Sequence, residues 1–202
     1  MTDTVLVPPE HTVPTAFTRT QLDWLPWLEP LAVEAMTERH LASLVEPARV
    51  KSPYFRLLAR DPDALEARTR TDKDIFYNAD AGLPRAEREL AAAATSRFNG
   101  CLYCASVHAR HAATYSKREA DVQRLLDAGV TADLGERWNA IVAASVALTA
   151  TPIAFGSEHV DRLRRSGLDD LAIADVIHAA AFFNWANRLM LSLGEPAATP
   201  GP

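Results

Sequence analysis

Between Phe17 and Leu193 apolar residues recur every third or fourth position, and alternation at period two is rare. That spacing marks amphipathic helices and leaves little from which to build a sheet. Alanine and leucine dominate, whereas the β-branched and aromatic runs that mark strands are scarce. The predicted fold class is therefore all-α, a helical bundle.

Proline, glycine and capping residues divide the pattern. The stretch LDWLPWLEPLAVEAM (22–36) is broken by Pro26 and Pro30 and predicts short helical turns. Short helices follow over 38–44 and up to Ala59, the latter with Ser52 as cap. Asp61-Pro62 opens a helix to about Tyr77, and Pro84 opens one through Phe98. Asn99-Gly100 breaks the chain before a helix over 101–115. Ser116, with Glu119 three residues on, reads as a capping box for a helix ending at Gly129. Three more helices are expected over 134–148, 156–166 and 169–193. The last carries an apolar stripe of Leu171, Ala174, Ile177, Ala181, Trp185 and Leu189. The organisation expected is an irregular arm at 1–16, one helical domain over 17–194, and a flexible tail at 195–202.

With 202 residues, 48% of them apolar, the chain can bury a sizeable core. A formal net charge of −5 gives no general attraction for phosphate backbones or anionic lipid, so nucleic acid is set aside. No apolar run reaches the roughly 18 residues of a membrane span, and MTDTVLVPPEHTVP lacks the features of a secretory signal. The expected setting is cytoplasmic. There, two cysteines in CxxC spacing point to catalysis, redox chemistry or metal binding rather than to a structural staple.

Both cysteines lie in FNGCLYCASVHARHA (98–112). On a helix Cys101, Cys104 and His108 share one face, and His108 is one turn beyond Cys104. Asn99-Gly100 sets Cys101 near a helix N-terminus, where free amides favour thiolate. In the preceding helix Glu89 borders the small apolar face, with Ala86 and Ala93 as neighbours, while Glu87 points further out. A carboxyl facing a core has a raised pKa unless partnered, and one poised near neutrality carries protons. Glu89 is accordingly expected to exchange a proton with Cys104 through His108 or a water. Metal binding by both thiols, His108 and Glu89 is a competing reading; four-ligand structural zinc sites commonly use a second CxxC or HxxxH, which is missing here. Plain packing of two small residues is another. Tyr103 and His111 border this region as a packed ring and a solvated histidine. His178 reads as a core histidine, and Trp24, Trp27, Trp138 and Trp185 as core or interface anchors. Asn184 and Asn187 are placed to bridge helices. No phosphate-cradling glycine loop suggests a nucleotide cofactor.

The segment PRAERELAAAATSRFNGCLYCASVHARHA resembles the core motif of the alkylhydroperoxidase D-like / carboxymuconolactone decarboxylase superfamily, whose redox branch carries Glu and, twelve residues later, CxxCxxxH. The stretches LDWLPWLEPL and AFFNWANRLMLSLG look like the ends of its peroxidase-related subgroup. The resemblance implies an alkylhydroperoxidase D-like helical bundle, a homo-oligomer from dimer to hexamer, and reduction of a hydroperoxide substrate at the expense of an external dithiol. It implies Cys104 as peroxidatic thiol, Cys101 as the resolving and more accessible one, and His108 with Glu89 as proton relay. Neither metal nor organic cofactor is implied. Well-characterised peroxidase members carry a second histidine where Tyr103 stands. A thiol–disulfide oxidoreductase would use the same residues, and a non-catalytic helical oligomer would use none of them.

Overall fold

The computed structural model describes residues 5–8 and 10–199; parts of the expected arm and tail, residues 1–4, 9 and 200–202, lie outside the described residues. In chain order the elements are β1 (Leu22–Pro26), α1 (Glu38–Ser43), α2 (Pro53–Leu58), α3 (Pro62–Tyr77), α4 (Arg85–Phe98), α5 (Leu102–Ser116), α6 (Glu119–Ala128), α7 (Glu136–Thr149), α8 (Ser157–Arg165), α9 (Asp170–Leu193) and β2 (Gly194–Ala198). Short 3-10 turns occupy Val33–Ala35 and Pro47–Lys51.

The centre of the bundle is α4, with α5, α7 and α9 packed around it. Every residue from Glu87 to Ser96 is buried. The run Ala91 to Ala94 makes this possible, because methyl-sized side chains let neighbouring helices approach closely on several sides. The long helices start where local chemistry predicts. Asp61 caps α3 by accepting from the Ala64 amide at 3.1 Å, and Asp169 caps α9 from Ala172 at 2.8 Å. No helix among the described residues is long and apolar enough to cross a membrane.

The structure departs from the sequence reading in several places. Residues 22–26 form a strand, not helical turns. They pair antiparallel with β2, from Leu22 opposite Ala198 to Pro26 opposite Gly194. Residues 195–198, read as loose tail, are the other strand. The inward side of β1 is only Leu22 and Trp24, too short an alternation to stand out in a helical sequence. Trp24 locks the ribbon onto α9, its indole N–H donating to the Met190 carbonyl at 3.3 Å.

Gly194 is where α9 turns into β2. A Cβ added there would lie 2.3 Å from the Leu25 carbonyl oxygen and 2.4 Å from Trp24 Cζ2. Gly194→Ala is expected to destabilise the fold by about 1–3 kcal/mol through overpacking, read as a lower denaturant midpoint.

Ser116 is not the cap of α6; Arg118 holds that position. The Ser116 hydroxyl instead closes α5, donating to the Ala112 carbonyl at 2.6 Å. Glu87 does not point outward but is buried, bound through both oxygens to Arg137 of α7 at 2.7 and 2.8 Å. On α9 the buried positions are Ala172, Ile173, Val176, Ala179, Ala180, Phe183, Ala186, Asn187 and Met190. The expected stripe lies to one side of this face: Leu171 and Trp185 are 53% and 45% exposed and Ala181 is exposed, while Ala174, Ile177 and Leu189 are partly buried. His178, expected in the core, is exposed too. This helix is apolar nearly all round, so periodicity alone could not choose its inner face.

Candidate active site

The site is assembled at the turn between α4 and α5. Asn99 follows α4, and its side-chain amide reaches Asn184 Oδ1 at 3.2 Å and Asn187 Oδ1 at 3.1 Å on α9. Asn187 donates in turn to Ser96 Oγ at 3.0 Å, so both asparagines bridge helices as expected. Gly100, with φ +79°, reverses the chain in a conformation that L side chains rarely adopt. Cys101 then takes the N-cap position of α5. Cys104, His108 and His111 follow along that helix.

Glu89 of α4 is 1% exposed and faces this row. Its Oε2 lies 2.6 Å from His108 Nδ1, and its Oε1 accepts from Arg85 Nε at 3.0 Å. Burial alone would raise the Glu89 pKa. The His108 hydrogen bond, with the charges of His108, His111 and Arg85, outweighs it and holds the carboxyl below the usual range. Glu89 is thus a carboxylate at neutral pH, not the proton carrier poised near neutrality that the sequence suggested. An ionised Glu89 fixes His108 with its proton on Nδ1, leaving Nε2 as the nitrogen that can exchange protons. Phe183 and Phe76 pack against the imidazole, with ring centroids at 4.0 and 5.2 Å.

The two thiols are free, buried and near each other, and each perturbs the other's acidity. Their acidities are opposite. The Cys104 side chain and, after it, backbone amides of Cys104 and Tyr103 pull Cys101 down against the cost of burial. Cys104 is pushed well above the ordinary thiol range by the neighbouring Cys101 and by burial. The helix N-terminus therefore favours thiolate at Cys101, as its position predicts. Nor is Cys101 the more accessible thiol: it is 2% exposed and Cys104 5%.

The sulfurs instead open toward different spaces. Cys104 lines a cavity of about 200 Å³ together with Glu89, His108, His111 and Arg85. Phe55, Phe76, Tyr103 and Phe183 supply aromatic walls. Cys101 lines a separate apolar cleft of about 170 Å³ between the β-ribbon and the start of α5, with Trp24, Leu191 and Pro196. Tyr103 and Met190 border both spaces. The expected border residues Tyr103 and His111 are thus both brought to the site. Burial and then the neighbouring Cys104 raise the Tyr103 pKa, and burial lowers that of His111.

Arg85, Arg68 and Tyr54 also line the cavity and did not emerge from the sequence. Arg85 could have been found, being four residues before Glu89 on one helix. Arg68 and Tyr54 come from α3 and α2 with no local signal. Among the described residues no group of three or more His, Cys, Asp or Glu side chains is placed to hold a metal ion.

Comparison with known proteins agrees with this architecture. Residues 62–147, from α3 to α7, match the model of the Carboxymuconolactone decarboxylase family. The chain also superposes on the alkylhydroperoxidase AhpD core of a peroxidase-related protein from Ralstonia eutropha JMP134, with a TM-score of 0.68. Residues 62–147 belong to the Carboxymuconolactone decarboxylase family, and the fold is alkylhydroperoxidase D-like. The Ralstonia protein is 24% identical, over 81% of this chain and 87% of that one. A peroxidase-related protein from Silicibacter sp. TM1040 is 24% identical over 71% and 75% of the two chains, at a TM-score of 0.62. The debrominase Bmp8 is 20% identical over 81% and 88%, at a TM-score of 0.65. No curated protein sequence matches the chain. At these identities the solved structures bear on the fold alone, and this superfamily fold carries more than one chemistry.

Proposed function

We propose that this protein is a thiol-dependent peroxidase that reduces organic hydroperoxides through Cys104 and Cys101. One observation carries the reading. Cys104 lines an aromatic-walled cavity with a histidine held by a buried carboxylate, and a second thiol lies beside it. A partner thiol next to the reacting sulfur, and a proton carrier beside it, are what peroxide reduction by a dithiol requires.

In the proposed sequence Cys104 sulfur attacks the terminal peroxide oxygen as the O–O bond breaks. The Cys104 proton passes through His108 Nε2 to the departing oxygen, giving an alcohol and Cys104 sulfenic acid. Glu89 holds the imidazole and stabilises its charged form during the transfer. Cys101, already the more acidic thiol, attacks the sulfenic sulfur, forming a disulfide and releasing water. A dithiol then exchanges with the disulfide through the Cys101 side, ending as its own disulfide and restoring both thiols. Access to Cys101 from its own apolar cleft lets this reductant approach without crossing the peroxide cavity. A cytoplasmic setting would supply such a dithiol. The exposed α9 face carrying Leu171 and Trp185 is the surface best suited to self-association.

A thiol–disulfide oxidoreductase is the second reading, favoured by the lowered pKa of Cys101 at a helix start. Parallel assays with cumene hydroperoxide and with an oxidised dithiol protein separate the two. Peroxide consumption supported by dihydrolipoamide or dithiothreitol, outpacing protein disulfide reduction, is the expected result. Disulfide reduction with inert peroxide would replace the peroxidase reading.

A further inference from the structure

Two donors in the Cys104 cavity have nothing to donate to. Tyr54 Oη and Arg68 Nε are each buried without a hydrogen-bond partner, although both residues line the cavity. The Arg68 side chain is 8% exposed. Its Nη1 reaches Asp72 Oδ2 at 3.3 Å, and its guanidinium lies over the rings of Phe55 and Phe182 at 5.4 and 5.3 Å. Asp72 is shared, since Arg49 Nη2 lies 3.8 Å from the same oxygen. Arg49 and Lys73 also divide Glu46, at 3.2 and 2.7 Å. Asp72 thus serves both Arg68 and Arg49, and it lines the cavity beside Arg68. Burial pushes the Tyr54 phenol well up, against the pull of Arg68, so it keeps its proton and stays a donor. Leaving such donors buried and unpaired is unfavourable, and a site built to satisfy them with a ligand would remove that penalty.

We propose that Arg68 and Tyr54 form a subsite for an anionic oxygen, a carboxylate or phenolate, carried by an aromatic-sized substrate whose reacting group lies at Cys104. The size fits. The cavity is about 200 Å³ with aromatic walls, and an apolar cavity of about 150 Å³ is enough to take a benzene ring. The geometry fits as well. The relay of Glu89 and His108 comes from α4 and α5, whereas the two unpaired donors come from α2 and α3. An arene seated between them would be held at its charged end by Arg68 and Tyr54. Only the statement about the reacting group rests on the peroxidase reading; the subsite itself does not.

Calorimetric titration of the reduced full-length protein tests it, with benzoate and 4-nitrophenolate as anionic probes and benzyl alcohol as the uncharged one. Benzoate or the phenolate is expected to bind at least about tenfold more tightly than benzyl alcohol, as a charged partner for buried donors should. Preference between the two anions identifies the oxygen. Arg68→Gln is expected to remove that preference, and Tyr54→Phe to weaken the anion roughly threefold to tenfold. Equal binding of benzoate, phenolate and benzyl alcohol would overturn the proposal. So would wild-type anion affinity in Tyr54→Phe, which decides the matter if Arg68→Gln does not fold. Absence of peroxidase activity in the wild-type protein, with anion binding intact, would sink the peroxidase reading and leave the subsite standing.

Discussion

Cys104→Ser is expected to lower hydroperoxide turnover by at least about a thousandfold while leaving the circular dichroism spectrum and thermal midpoint close to wild type. Serine oxygen is a poor nucleophile toward peroxide and cannot form the sulfenic acid on which the later steps depend. The substitution is nearly isosteric in a helix whose fold is set elsewhere. Cys101→Ser should behave differently. The first attack survives, so one equivalent of peroxide is consumed and turnover then stops, with Cys104 trapped as sulfenic acid. A single-turnover assay with a sulfenic-acid probe distinguishes the two. Full turnover in Cys104→Ser would support the reading in which these cysteines merely pack.

The second large effect concerns Glu89. Glu89→Gln is expected to reduce the peroxidase rate by roughly a hundredfold or more, because His108 loses the anion that stabilises its charged form. It also leaves Arg85 and His108 without their shared carboxylate. Breaking such a buried pair costs about 3 kcal/mol of stability near neutrality. The sign of the pH dependence follows from the lowered folded-state pKa. The carboxylate contribution is present above the unfolded value of 4.5 and is lost as pH falls through the folded value. The stability gap between wild type and Glu89→Gln should therefore narrow in acid, which urea titrations at pH 7 and near pH 3 would read. A gap that widens in acid would mean that Glu89 is protonated in the folded protein.

Much of the helical architecture could be read from local chemistry. Asp61-Pro62, Pro84 and Asp169 announce α3, α4 and α9, and Asn99-Gly100 announces the turn that sets Cys101 at a helix start. The juxtaposition of Glu89 with His108 was inferred from helical spacing and is realised at 2.6 Å. Three kinds of information were hidden. The strand pairing of Leu22–Pro26 with Gly194–Ala198 joins segments at opposite ends of the chain, and nothing local encodes such a contact. The inner face of α9 was ambiguous because both faces are apolar. The charge state of Glu89 depends on Arg85, His108 and His111 together, so burial alone suggested the wrong direction. For the thiols, the Asn99-Gly100 turn announced thiolate character at Cys101, but the raised pKa of Cys104 depends on the neighbouring sulfur and on burial.

The central claim is that Cys104 and Cys101 cycle between dithiol and disulfide at the expense of a peroxide. Its most direct measurement treats the native, fully reduced protein with one equivalent of cumene hydroperoxide, counts thiols after denaturation with and without that treatment, and maps the peptides. The account predicts that both thiols of a chain disappear together into one intramolecular Cys101–Cys104 disulfide. Two thiols still titratable after exposure to peroxide would contradict it.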